Sequence, residues 1–509
     1  MFRALLLLAL YGIAHAQTLD LLLTGGTVVD GSGAPGRIAD VGIRGDRIAF
    51  IGDAASAHVQ ARRSIAAKGL IVSPGFIDPH THTLDDLSSA RRANENYLLQ
   101  GVTTVITGND GGGPVNTGKI LQQWRTHGIG TNAGLYIGQG AIRGEVMGMT
   151  DAAPTPQQLD AMERLVKSGM EAGAFGLSAG LFYAPGSYAK TDEVIALAKV
   201  AAKYGGVYDT HIRDESTYSI GVMGAIQEAI DIAKGAGIPL HISHIKVQGP
   251  AVWGKSDAVI ALIRKAQAQG VRISADQYPY TGSGTSLTAS LVPRWAQVGG
   301  NQKMLDRFSD PAERPKVIAD MEKNLDIRGG PDRLLVTSAR DRALVGKTLD
   351  QIAKQRGLAP AEAAIAIIRT GGAGIASLNI DERDIENFMK QEFVTTGSDG
   401  STGHPRKYGT FPRKLRIYVR EKHILTLEQF VQRSSAQTAD DLHIANRGQI
   451  KEGYFADIVA FDYDKITDQS TYEHPEVLSN GVQFVIVNGK VAVENGKYTG
   501  ALAGQALRR

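Results

Sequence analysis

The chain of 509 residues carries 55 Lys and Arg against 52 Asp and Glu, a net charge of +3 with no long basic run, which excludes a nucleic-acid-binding footprint. Hydrophobic residues make up 43% and glycine occurs 60 times, a composition of a compact, turn-rich globular enzyme rather than a disordered chain. There is no cysteine, so disulfides are excluded and any metal must be held by histidine, carboxylate or backbone oxygen.

The chain opens MFRALLLLALYGIAHAQ, with Arg3 ahead of an apolar run and then Ala14-His15-Ala16. That is the pattern of a signal peptide, so residues 1–16 are assigned to export and the mature protein is expected to be periplasmic or secreted. No later run of 18 apolar residues predicts a membrane span. Residues 17–72 hold LDLLLTGGTVVDG and ADVGIRGDRIAFIG, and residues 447–509 hold ADIVAFDYD and VQFVIVNGKVAVENGK. These are short strands joined by Gly, Asn and Asp turns, and both ends are predicted to meet in one small β-sandwich domain.

Between them, residues 73–446 alternate strand-like and helix-like stretches. Eight strands are predicted, in GFIDPHTH, GVTTVITGNDG, NAGLYIGQG, AFGLSAGL, GVYDTHIRDE, IPLHISHIK, VRISADQYPY and FVTTGSDG. Helical periodicity separates them, as in TPQQLDAMERLVKSGMEAG and TDEVIALAKVAAKYG. The expected fold is α/β: a (β/α)8 TIM-like barrel whose site lies at the strand C-terminal ends. More than 100 residues separate the seventh and eighth strands, so residues 281–391 are predicted to form a helical insertion near the barrel mouth. A lid and a passive packing excursion are both consistent with it.

In Asp78-Pro-His-Thr-His82, alternation along a strand aims His80 and His82 the same way, so that they can share a metal. His211, His244 and Asp399 close three other predicted strands, at the end where a barrel gathers its ligands. Taken alone, Asp110 in GNDG reads as an ordinary turn residue.

HxH after the first strand, His after the fifth and sixth and Asp after the eighth resemble the amidohydrolase superfamily. GVTTVITGNDG, GAFGLSAGLFYAPGSYA, THIRDE, SHIKVQG, DQYPYTGSGTSL and HPRKYGTFPR resemble, more closely, its D-aminoacylase (N-acyl-D-amino-acid deacylase) family, over nearly all of the mature chain. The resemblance implies zinc, as one or two ions, or another divalent metal. His80, His82 and Asp399 would hold the more exposed ion, and His211, His244 and Asp110 the more tightly bound one.

Two departures bear on this. The fourth strand offers Ser178 where many superfamily members carry a carboxylated lysine, and GNDG has Asp110 where the family has a bridging cysteine. A carboxylate is a harder ligand than a thiolate but can span two metals through its two oxygens. The resemblance further implies a metal-activated water attacking an amide, Asp399 as proton carrier, and Lys246, Tyr278 and Arg406 binding the substrate α-carboxylate, with Tyr280 competing for the tyrosine's role. Gln139 stands where the family commonly has the His of GHG; it can hydrogen-bond but cannot ligate or titrate as His does, so the resemblance does not extend to the acyl pocket. The expected activity is hydrolysis of a small-molecule N-acyl-D-amino acid to a carboxylate and a D-amino acid. An exported amidohydrolase of dipeptides or cyclic amides, and an inactive binding protein on the same scaffold, are the alternatives.

Overall fold

The strands of the central region are short runs rich in apolar and β-branched residues, buried along their whole length as parallel strands covered on both faces must be. In the computed structural model, which describes residues 18–509, Phe76–Thr81, Val102–Thr107 and Asn132–Leu135 form one parallel sheet. Ile137–Gly138, Gly176–Gly180, Val207–His211, Leu240–Ile242, Ile273–Gln277 and Val394–Thr396 form another, in that spatial order. Every residue of these strands is buried. One residue separates Leu135 from Ile137, and a parallel bridge from Thr81 to Gly400 joins the two far edges. The architecture is a (β/α) barrel. The proposed export segment, residues 1–16, lies outside the described residues, and no described helix is long and apolar enough to cross a membrane.

One barrel helix shows how the sequence sets its ends. Pro156–Ala172 starts with a Thr155/Gln158 capping box and a proline in its first turn, and stops at Gly173 in the left-handed conformation. Its Met162, Val166 and Met170 repeat at helical spacing and are buried in the main core.

Both chain ends contribute to a nine-stranded sheet. The two halves join where Ile71–Pro74 pairs antiparallel with Ile458–Phe461. Buried Asp457 ties this sheet to the barrel: its carboxylate pairs with Arg447 and accepts from the Asn132 side-chain amide at 3.0 Å and the Asn488 N–H at 2.8 Å. Asp457→Ala strands the Arg447 charge in the interior, and we expect a loss of about 3–5 kcal/mol. A lowered denaturation midpoint would report it, and an unchanged midpoint would remove Asp457 from the joint.

The segment between Gln277 and Val394 contains the predicted helices, Arg314–Ile327 and Pro360–Arg369, over a core of their own. It also contains a three-stranded antiparallel sheet, Ser283–Ser286, Ala373–Ser377 and Leu334–Ala339, where a purely helical insertion was expected. LLVTSA and AGIAS are too short to carry a period of their own, and their partners are distant in sequence, so no local signal announces them. This sheet brings Ser283, Gly284 and Thr285 to the barrel mouth, onto the wall of the cavity described next.

Candidate metal centre

His80 and His82 project to the same side of their strand end, with ring centroids 5.5 Å apart. His80 is fully buried, whereas 38% of the His82 side chain is exposed. Asp110, His211, His244 and Asp399 follow or end four other strands at the same rim. The His80 Nε2 atom lies 3.5 Å from Asp110 Oδ1 and 3.6 Å from Asp399 Oδ1. The His82 Nε2 atom is 3.0 Å from Asp399 Oδ1 and 3.5 Å from Asp110 Oδ2. On the other side, Asp110 Oδ1 lies 3.5 Å from His244 Nε2 and 3.9 Å from His211 Nδ1.

The donors therefore fall into two groups, His80, His82, Asp110, Asp399 and Asp110, His211, His244, each with its ligand atoms within 4.8 Å of one another. Asp110 belongs to both.

A divalent ion fits this set on three grounds. Ligand atoms bound to zinc at 2.0–2.2 Å in a tetrahedron stand roughly 3.3–3.5 Å apart. The observed separations bracket that, apart from the 2.8 Å between His211 Nδ1 and His244 Nε2. Next, the buried His80 Nε2 and Asp110 Oδ1 face one another with no hydrogen-bond partner, a costly arrangement without a cation between them. Finally, the second nitrogen of each buried imidazole faces a carboxylate: His80 Nδ1 to Asp276 at 3.6 Å, His244 Nδ1 to Glu215 at 3.2 Å and His211 Nε2 to Glu215 at 3.9 Å. A negative charge on that side favours the proton there and leaves the inner nitrogen free to ligate.

The backbone is bent to make this possible. Asp110, His244 and Asp399 have φ of 56°, 37° and 47°, a region that side-chain-bearing residues occupy at a cost of about 1–3 kcal/mol each. Local bonds enforce it. The His244 N–H donates to Asp276 at 2.9 Å and the Asp399 N–H to the His80 carbonyl at 2.8 Å. Around Asp110 the work falls to Ser178, which donates to the Gly108 carbonyl at 2.5 Å and accepts from the Gly111 N–H at 3.2 Å. The hydroxyl on the fourth strand thus clamps the loop that presents the carboxylate. Gly180 follows from the same closeness, since a β-carbon there would stand 2.1 Å from the Asp110 carbonyl.

Electrostatics reinforce the pattern. Against burial, His80 and the surrounding histidines hold Asp110 well below the usual carboxylate range. Asp399 is held down too, against burial, chiefly by Arg406, whose Nη1 is 2.9 Å from its Oδ2. Burial and the Lys246 ammonium push His244 down, yet Asp399, Asp110 and Glu215 lift it to about 9. Burial takes His211 the other way, to about 3.

Of the predicted substrate-binding residues, Arg406 and Tyr278 stand together: the guanidinium is 4.7 Å from the Tyr278 ring centroid, and the buried Tyr278 hydroxyl has no partner. Tyr280 packs instead against His404 and Arg413. Lys246 lies 5.6 Å from the Tyr278 ring but donates to Glu215 at 2.6 Å, and its Nζ stands 2.8 Å from His244 Nδ1. Gln139 is buried with neither side-chain amide atom bonded. Beside the centre lies a cavity of about 20 Å³, walled in part by His211, His244, Lys246, Asp399 and Thr285. It has room for about one water, so a substrate must displace part of the wall.

Sequence reasoning quoted the motifs of Asp276, Glu215 and His404 without assigning them a part. Asp276 sits on the strand Ile273–Gln277, facing His80, His241 and the backbone of His244. Glu215 lies four residues past His211, and His404 accepts the Arg406 N–H at 3.2 Å. A carboxylate at the end of a strand without a ligand, as Asp276 is, or four residues past a ligand, as Glu215 is, is the signal that could have found the first two, because ligating histidines require such backing.

Residues 63–493 match the model of the amidohydrolase family. The chain is 34% identical to the D-aminoacylase of Alcaligenes xylosoxydans xylosoxydans, covering 97% of this chain and 99% of that one. It is 35% identical to the N-acyl-D-glutamate deacylase of the same organism, over 93% of each. The structure of N-acyl-D-glutamate deacylase from Bordetella bronchiseptica, complexed with zinc and a phosphonate mimic of the tetrahedral intermediate, superposes with a TM-score of 0.82 at 31% identity, covering 97% of this chain and 100% of that one. With donor groups and fold agreeing with these matches, the chain belongs to the amidohydrolase family, in its D-aminoacylase and N-acyl-D-amino-acid deacylase branch.

Proposed function

We propose that this protein hydrolyses the amide bond of N-acyl-D-amino acids, giving a carboxylate and a D-amino acid, with zinc or a similar divalent metal as cofactor. The observation that carries this reading is the pair of donor groups sharing Asp110, beside the Arg406–Tyr278 pair. The matching relatives are named for the same chemistry. Residues 73–446 are read as an eight-stranded (β/α)8 barrel with its insertion at about 281–391, and residues 17–72 with 447–509 as a small β-sandwich domain. The Arg3-led N-terminal segment is read as an export signal, cleaved after Ala16.

In this reading His80, His82 and Asp399 would hold one ion, and His211, His244 and Asp110 a second where two are bound, Asp110 belonging to both donor groups. When bound, the metal supplies polarisation of the amide carbonyl and a water acidic enough to attack near neutral pH. The chain supplies the rest. Asp399, kept ionised by Arg406, accepts the proton of the attacking water and returns it to the leaving nitrogen. Arg406 and the Tyr278 hydroxyl bind the α-carboxylate, and Lys246 adds its charge from the Glu215 side. Arrival of that carboxylate draws Arg406 away from Asp399, which makes Asp399 a better base once substrate is in place.

A panel of N-acetyl-D- and N-acetyl-L-amino acids, dipeptides and hydantoins tests the assignment. Turnover is expected for the D-amides; cleavage of dipeptides or cyclic amides alone would overturn it. The ligand histidines give a second test. Because metal binds neutral imidazole and His244 titrates at about 9, adding zinc to metal-free protein at pH 7 should release at least one proton per chain in a weakly buffered solution. As pH falls from 8 to 5, the apparent zinc affinity should fall with it; affinity independent of pH would remove the histidines from the site.

A further inference from the structure

Arg328 stands apart from the other deeply buried arginines. Arg143 pairs with Glu193 and Arg406 with Asp399, but among the described residues no carboxylate lies within ion-pair distance of Arg328. Its Nε and Nη1 are buried without any hydrogen-bond partner. Arg328 caps the C-terminal end of the helix Arg314–Ile327, where carbonyls could have received it, yet neither nitrogen bonds to one. It faces the Tyr218 ring at 5.7 Å and lies beside the buried Tyr218 hydroxyl, a neutral group that cannot balance its charge.

Its position gives this a meaning. Arg328 lines the same cavity as His211, His244 and Asp399. The two acids on that wall are already engaged, Glu215 with Lys246 and His244, Asp399 with Arg406 and His82. A desolvated guanidinium with free donors is a binding site waiting for an anion of matching geometry, and a carboxylate meets it with two parallel bonds. The α-carboxylate is spoken for by Arg406 and Tyr278 in the reading above, on which this inference rests. We propose that Arg328 anchors a second carboxylate of the substrate, so that the preferred substrates are N-acyl-D-amino acids carrying a further negative charge.

That charge can sit on the amino-acid side chain or at the end of the acyl group, and isosteric pairs separate the two. The measurements are kcat/KM for N-acetyl-D-glutamate against N-acetyl-D-glutamine, and for N-succinyl-D-alanine against its terminal amide, with metal-loaded wild type, R328M and R328K. At least one wild-type charged-to-neutral ratio is expected to exceed roughly tenfold, carried by KM, because an unmet buried donor penalises the neutral substrate. R328M should bring that ratio down at least tenfold, and R328K, which keeps the charge but loses the fork, partway. Wild-type ratios at or below one overturn the proposal, as does a ratio that R328M leaves in place. Should R328M fail to fold, an unaltered ratio in R328K overturns it and a lowered one supports it. Equal cleavage of charged and neutral D-amides sinks this inference alone, whereas no cleavage of any D-amide sinks the deacylase reading beneath it.

Discussion

Asp110→Asn is expected to leave the fold intact, lower the metal content of the purified protein and reduce kcat on the order of 10³-fold. Asparagine is the informative change because it matches the shape of Asp and tolerates φ of 56°, so the loss reports charge and ligation rather than backbone strain. Both donor groups lose their common anion, and His80, His82, His211 and His244 are left facing a neutral amide that can offer only one good oxygen. Asp110→Cys should restore an anion at the same place. Its single soft sulfur would shift preference toward softer, thiophilic metals, so metal content and activity should recover together but with a different metal ranking. Elemental analysis alongside kcat for each metal checks all three proteins. Unchanged metal content in Asp110→Asn would return this residue to the role of an ordinary turn acid.

Asp399→Asn should be more damaging still, on the order of 10⁴-fold in kcat, because one group both belongs to the His80–His82 donor set and carries the proton. Its partner Arg406 would remain, so substrate affinity should fall much less than turnover. The pH profile adds a separate check. Arg406 and the histidines hold the carboxyl below its ordinary range, so its base form is present above that range and is lost only as pH falls beneath it. Any acid limb of kcat/KM nearer neutrality must then come from protonation of the histidines. An Asp399→Asn enzyme retaining a tenth of wild-type kcat would place the proton transfer elsewhere.

The barrel strands were legible because they are short apolar or β-branched runs that alternate with helical periodicity, several of them closed by a His or an Asp. His80 and His82 could be paired from strand alternation alone, since two residues is the repeat that returns a side chain to the same face. His211, His244 and Asp399 followed from the rule that parallel strands of a barrel present their C-terminal ends together. The antiparallel sheet inside the insertion was not legible, because Leu334–Ala339 meets Ala373–Ser377 and the latter meets Ser283–Ser286 across long stretches of chain. Nor was the part of Ser178: as a serine it signalled only a missing lysine, and its clamp on the Asp110 loop needs two strands brought side by side.

The amino-acid order by itself determined the kinds of donor available, their strand-end positions and the charge at Asp110, because composition and local periodicity depend on near neighbours only. Tertiary structure alone decided which donors share Asp110, which carboxylate backs each imidazole, that Tyr278 rather than Tyr280 meets Arg406, and that Arg328 is buried without an acid. Most of those are distances of a few ångströms between residues tens to hundreds of positions apart, and only the closed packing of the fold sets them.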